Sequence, residues 1–190
     1  MEFDLSYAHR RFLGLAGREA PAVEKPEELQ ISSRAFEFLH RQLQIPGRHR
    51  SGPLFGYVEQ GRLWIEYAAS SGYRATNDPL TFSPEYVLGW IDALRATFPE
   101  RPLIDWVGSW MIQPHAELTD AVVETQWVRQ ARLTRLVDDR RCLMFVGWQR
   151  GTLCSRTYLY DPVSGPETIV EASEFYTPGQ RTVPPANSRK

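Results

Sequence analysis

A single α/β domain, with helices packed on a mixed, curved sheet, is the fold class that the order of sequence elements predicts. Two observations carry it. Helix-like and strand-like stretches alternate in the order helix, two strands, helix, strand, helix, two or three strands. The chain has 190 residues, 42% of them hydrophobic and 24% charged, which suits one globular domain with a real core and would be cramped for two.

The first helix is read over "SSRAFEFLHRQL", where Phe36, Leu39 and Leu43 recur at helical spacing and Ser32 or Ser33 caps the start. His40 lies beside that face and reads as a surface or partly buried residue. "GPLFGYVEQGRLWIEYAAS" reads as two strands joined at Glu59, Gln60 and Gly61. "SPEYVLGWIDALRATF" is a helix capped by Ser83, with Pro84 in its first turn and Val87, Trp90, Ile91, Leu94 and Phe98 on one face. "PLIDWVGSWMI" is a mostly apolar, buried strand. In "TDAVVETQWVRQARLTRLV" the helical spacing predicts Val123, Trp127 and Leu133 or Leu136 toward the core, and Arg129, Arg132 and Arg135 outside. "CLMFVGWQRGTLCSRTYLYD" closes as a hairpin turning near Arg150 and Gly151, and "ETIVEASEFY" adds a further strand.

The flanks differ in character. Residues 1–29 read as an N-terminal arm, charged and Pro-containing near its end, with Phe12, Leu13 and Leu15 needing burial against the body or a partner. Residues 30–176 form the expected domain, and 177–190 a Pro-rich, polar, disordered tail. The N-terminus lacks a basic start followed by an apolar block, so no signal peptide is expected.

A formal net charge of −1 argues against a nucleic-acid binder that relies on bulk charge. No apolar run approaches the length of a membrane-spanning helix. The cations are 20 Arg and 2 Lys, with Lys25 and Lys190 in the expected flanks. In the closing hairpin Cys154 falls opposite Val146 or Gly147 rather than Cys142, too far for a disulfide. Reduced cysteines imply a cytoplasmic location. No Gly-x-Ser-x-Gly elbow is present, both cysteines lie in strand-like stretches, and "GYVEQG" and "SGPLFG" fit a hairpin and the start of a strand rather than a phosphate loop.

The segment "DWVGSWMIQPHAELTD" is the part of the chain that looks most like the mouth of an active site. Its "WVGSWMIQP", together with the element order, resembles the JAB1/MPN/Mov34 domain. The resemblance covers roughly residues 30–162 and implies an MPN-like, cytidine-deaminase-like fold. In active relatives a strand ends in Gly-x-x-His-x-His-Pro, a Ser-x-x-Asp opens the next helix, and a Glu lies upstream. Two His and one Asp hold Zn²⁺ with a position left open for water, and the Glu shuttles the proton as an isopeptide bond is cleaved. On this pattern Gly108, Trp110 and Pro114 match the frame, while Met111 and Gln113 stand at the two histidine positions. The Ser and Asp positions become Ala121 and Glu124, or Thr119 and Val122 if the loop is shortened. Upstream, "HRSGPLFG" keeps Gly52, Leu54 and Gly56 but places His49 at the Glu position.

A thioether and a neutral amide are poor zinc donors. The resemblance therefore implies a catalytically degenerate member: a non-catalytic interaction or scaffold module with no cofactor. Its implied partner is an active MPN relative or a ubiquitin-like protein, in a homo- or hetero-oligomeric assembly. The alternative is a zinc-dependent isopeptidase or peptidase with rearranged ligands drawn from His49, His115, Asp120 and Glu124, with Glu117 nearby. The simpler expectation is that His115 and Glu117 decorate an exposed loop while Asp120 or Thr119 caps the helix. Trp106, Trp110, Trp127 and Trp148 are expected mostly in the core.

Overall fold

A computed structural model of the protein describes residues 25–72, 78–81, 83–99 and 104–171. The expected arm as far as residue 24 and the tail at 177–190 lie outside the described residues. The elements run β1 (Glu28–Ile31), α1 (Ser33–Leu43), β2 (Arg50–Glu59), β3 (Arg62–Ala68), α2 (Pro84–Thr97), β4 (Asp105–Ile112), α3 (Ala121–Leu133), β5 (Cys142–Gln149), β6 (Thr152–Asp161) and β7 (Gly165–Glu171). The strand order is β1-β3-β2-β4-β5-β6-β7, and β1 also pairs in parallel with β7, so the curled, mixed sheet closes on itself. This is the single α/β domain with helices on a curved sheet that the sequence predicts.

Local chemistry sets most boundaries. The Ser32 hydroxyl accepts from the Ala35 N–H and starts α1, and the Ser83 hydroxyl accepts from the Tyr86 N–H ahead of Pro84 in α2. The β2–β3 turn has positive φ at both Gln60 (53°) and Gly61 (70°), and the β5–β6 turn repeats this at Arg150 (52°) and Gly151 (78°). Left-handed pairs of this kind match the twist of the strands they join.

The sheet separates two apolar layers. Alternation along the strands sends Leu54, Trp110 and Met144 to one face and Phe55, Met111 and Phe145 to the other. The first face is covered by Ala35, Leu39 and Leu43 of α1. The second is covered by Val87, Ile91 and Leu94 of α2 and by Val128 and Ala131 of α3. Strand β4 is thus buried on both sides, which explains its nearly continuous apolar sequence. The joining β4–β5 pair is parallel, with α3 as the crossover between them.

Three expectations are revised. Strand β1 was not foreseen; Glu28 and Leu29 pair with β3 and β7, so the sheet begins two residues before the expected boundary at residue 30. Lys25, expected in a tail, is tied to the body by ion pairs with Glu167 and Asp161. Finally, α3 is rotated from its predicted phase: Val123 is 41% and Leu133 84% exposed, whereas Glu124 is 0% exposed. The fully buried set is Glu124, Val128 and Ala131; Trp127 packs against the core as expected, and Leu136, the other expected inward residue, reaches it from beyond the helix end. The hairpin register is as expected, with Cys154 opposite Gly147 and both cysteines free.

Candidate functional site

The loop between β4 and α3 is fixed by its backbone. The Gln113 carbonyl accepts from the Ala116 N–H at 2.9 Å and from Arg50 Nη2 at 3.2 Å. Ala116 then takes a left-handed φ of 55°. Its carbonyl accepts from the Trp148 N–H at 2.7 Å, and the Leu118 N–H donates to the Trp148 carbonyl at 3.1 Å. The loop therefore lies along β5 as an extra rung. It can do so only because residue 147 is glycine: a Cβ there would stand 2.4 Å from the Leu118 nitrogen.

Within this frame the sequence-selected residues separate. Met111 is 1% exposed and belongs to the core layer under α2 and α3, paired across the ladder with Phe145. Gln113 is half-buried, and its amide nitrogen has no hydrogen-bond partner among the described residues. Ala121 is exposed at the first position of α3. Asp120 is the helix cap, its carboxylate accepting from the Val122 N–H at 2.7 Å. His115 and Glu117 are exposed, as the simpler expectation has it. The His49 ring lies 5.5 Å from that of Trp127, and burial pushes its imidazole below its ordinary value. His40 packs edge-on against Trp148 at 5.8 Å.

Glu124 is the centre of the arrangement. Its buried Oε2 accepts from Arg156 Nη1 at 2.7 Å and from the Tyr158 hydroxyl at 2.9 Å, while Oε1 accepts from the Thr119 hydroxyl at 3.3 Å. Arg156 Nη1 also reaches the Thr119 carbonyl at 3.3 Å. Arg156 and Tyr158 stand two residues apart on β6 and so share a face of the sheet. The sequence reading assigned these two residues no role. The available signal was an acid at the inward phase of α3, with an Arg and a Tyr on one side of a core strand.

These residues do not fit a zinc centre. The carboxylate that the resemblance puts at a ligand position already faces a guanidinium, Met111 is enclosed in core, and Gln113 offers a neutral amide. Among the described residues no three His, Cys, Asp or Glu side chains gather closely enough to hold a metal ion. The rearranged set of His49, His115, Asp120 and Glu124 is not brought together as a group.

The residues that match the resemblance have packing roles. A Cβ at Gly52 would lie 1.9 Å from the Ala69 carbonyl oxygen, one at Gly56 1.7 Å from that of Trp64, and one at Gly108 2.5 Å from that of Cys142. The Trp110 indole N–H donates to the Ala69 carbonyl at 2.8 Å, and Leu54 is fully buried. They set the spacing of the strands.

Burial pushes the Glu124 carboxyl above its ordinary value, and the Tyr158, Arg156 and Thr119 groups pull it part of the way back. A carboxyl raised on folding contributes stability that is present below its unfolded value and lost as pH rises through its folded value. Relative to Glu124→Gln, whose amide does not titrate, the wild-type protein should lose stability as pH rises above 4.5. Urea unfolding of both proteins between about pH 4 and about pH 8 checks this, and a difference that stays flat contradicts it.

No family model and no curated protein matches the chain. A solved structure is similar: the solution structure of protein DSY2949 from Desulfitobacterium hafniense, a Northeast Structural Genomics Consortium target, at TM-score 0.57 and 13% identity. The match covers 80% of this chain and 97% of that one. At that identity the likeness establishes a shared fold alone.

Proposed function

We propose that this chain is a non-catalytic protein-interaction or scaffold module with a JAB1/MPN/Mov34-like fold. The observation that carries the reading is the pairing of Glu124 with Arg156 and Tyr158. The carboxylate that a metal would need is engaged by a cation from the chain itself, and a side-chain cation has no open position for water. The frame glycines fit the same reading, since each sits where a Cβ would collide with a neighbouring strand or segment, which is a packing role. The proposed partner is an active MPN relative or a ubiquitin-like protein, in a homo- or hetero-oligomeric assembly. The proposed location is the cytoplasm, in keeping with two free cysteines and with no helix among the described residues long and apolar enough to cross a membrane.

Two measurements on the full chain test this. Isopeptide-linked ubiquitin-like dimers incubated with the chain and added zinc should remain intact. Chemical cross-linking in the source cells should place the chain in a complex larger than itself. Chelator-sensitive cleavage that disappears in His49→Ala, or recovery of the chain only as a free monomer, would contradict the proposal.

A further inference from the structure

A second feature lies on the opposite side of β4 from Met111. The end of α1 and the turn after it, the first residues of β2, and Ser70, Ser71 and Gly72 after β3 enclose a cleft of about 210 Å³, with Trp110 among its walls. The cleft is built rather than incidental. Gly52 lets the backbone after β3 cross directly over β2, and the Ala69 N–H donates to the Pro53 carbonyl at 3.1 Å. The Trp110 indole grips the Ala69 carbonyl from below at 2.8 Å. Together these contacts hold the serine-bearing segment as one wall of the cleft.

Its charge is one-sided. Arg48 and Arg50 line it, and no Asp or Glu is among its described lining residues. Arg50 is half-buried, and its partners are the backbone carbonyls of Gln42, Ile45 and Gln113. Its Nε–H and the Nδ1 of neighbouring His49 are buried with no hydrogen-bond partner among the described residues. A partly buried guanidinium held only by neutral carbonyls keeps its full charge without a counter-ion, which is costly until an anion arrives. The hydroxyls of Ser70 and Ser71 add small donors around the same space. The volume is below the range usual for drug-sized ligands, so it suits one small group rather than a large molecule.

We propose that this cleft binds a single small oxyanion, of the phosphate or carboxylate class, held by Arg48 and Arg50 with the surrounding serine hydroxyls. The guanidinium supplies charge-assisted donors that match either anion. The site is independent of the non-catalytic reading, since it draws on none of the residues around Glu124.

Isothermal titration of the full chain with inorganic phosphate and with acetate, against chloride at matched ionic strength, tests the proposal. One of the two oxyanions should bind saturably at one site per chain where chloride does not. Stronger phosphate binding assigns the phosphate class and stronger acetate binding the carboxylate class. Arg50 also holds the end of α1, so the informative variants are others. Arg48→Ala should weaken binding about tenfold or more. Ser71→Leu, which fills the cleft, should abolish it, with thermal melting showing both variants folded. The proposal is overturned if neither oxyanion saturates, or if both folded variants bind as the wild type does.

Discussion

Replacing Arg156 with Met lowers the stability of the protein by about 2–3 kcal/mol at neutral pH. The estimate sits below the full cost of breaking a buried pair because Arg156 is 26% exposed, while Glu124 is 0% exposed. Once the guanidinium is gone, Glu124 keeps only hydroxyl partners, Tyr158 and Thr119, in a site closed to water. Its carboxyl must stay charged and unpaired or take up a proton, and either costs free energy. Adding Glu124→Gln to Arg156→Met should therefore recover most of the loss, because the remaining amide carries no charge. Urea unfolding of the single and double variants measures the coupling. Additive losses, or a single-variant cost below about 0.5 kcal/mol, would show that the pair is ornamental.

Gly52→Ala has the larger expected effect, about 3–5 kcal/mol of destabilisation. The atoms nearest the added Cβ are all backbone: the Ala69 carbonyl oxygen at 1.9 Å, and the carbonyl carbons of Ala69 and Ser70 at 2.9 Å. No side chain can swing aside, so the segment after β3 must move. That movement breaks the Trp110 indole bond to the Ala69 carbonyl and strands a buried N–H. Thermal unfolding should show the loss, and Trp fluorescence a changed environment. A variant as stable as wild type would mean that the crossing over β2 is not fixed as described.

Both predictions bear on how much of this molecule is legible in its sequence. Elements set by neighbours along the chain were read correctly. Ser83 and Pro84 start α2, Gln60–Gly61 and Arg150–Gly151 turn the hairpins, and the hairpin register puts Cys154 opposite Gly147. What escaped the reading depends on distant partners. Strand β1 is four residues whose ladders run to β3 and β7, and nothing local marks it. The phase of α3 was misjudged because apolarity favours turning Val123 inward over Glu124. The inward phase of Glu124 makes sense only once β6 brings Arg156 and Tyr158 to it. The same limit hid the anion cleft, whose cations and hydroxyls come from three separated segments.

The choice of residues at the loop was legible, their use was not. On the resemblance, Met111 and Gln113 stand where two strong donors would be expected. The structure adds their surroundings: the Met111 thioether packs in the core under α3, Gln113 is half-buried, and the nearby Glu124 carboxylate is closed by a salt bridge. His49, placed by the resemblance at the proton-shuttle position, packs against Trp127 and lines the cleft on the α1 side of the sheet.

Zinc content is the most direct measure of the central claim. The full chain is purified without chelator, equilibrated with zinc, and passed through gel filtration before elemental analysis. The account predicts far less than one zinc per chain, unchanged by His49→Ala, His115→Ala or Glu124→Gln. One tightly held zinc per chain, lost in any of those variants, would contradict it.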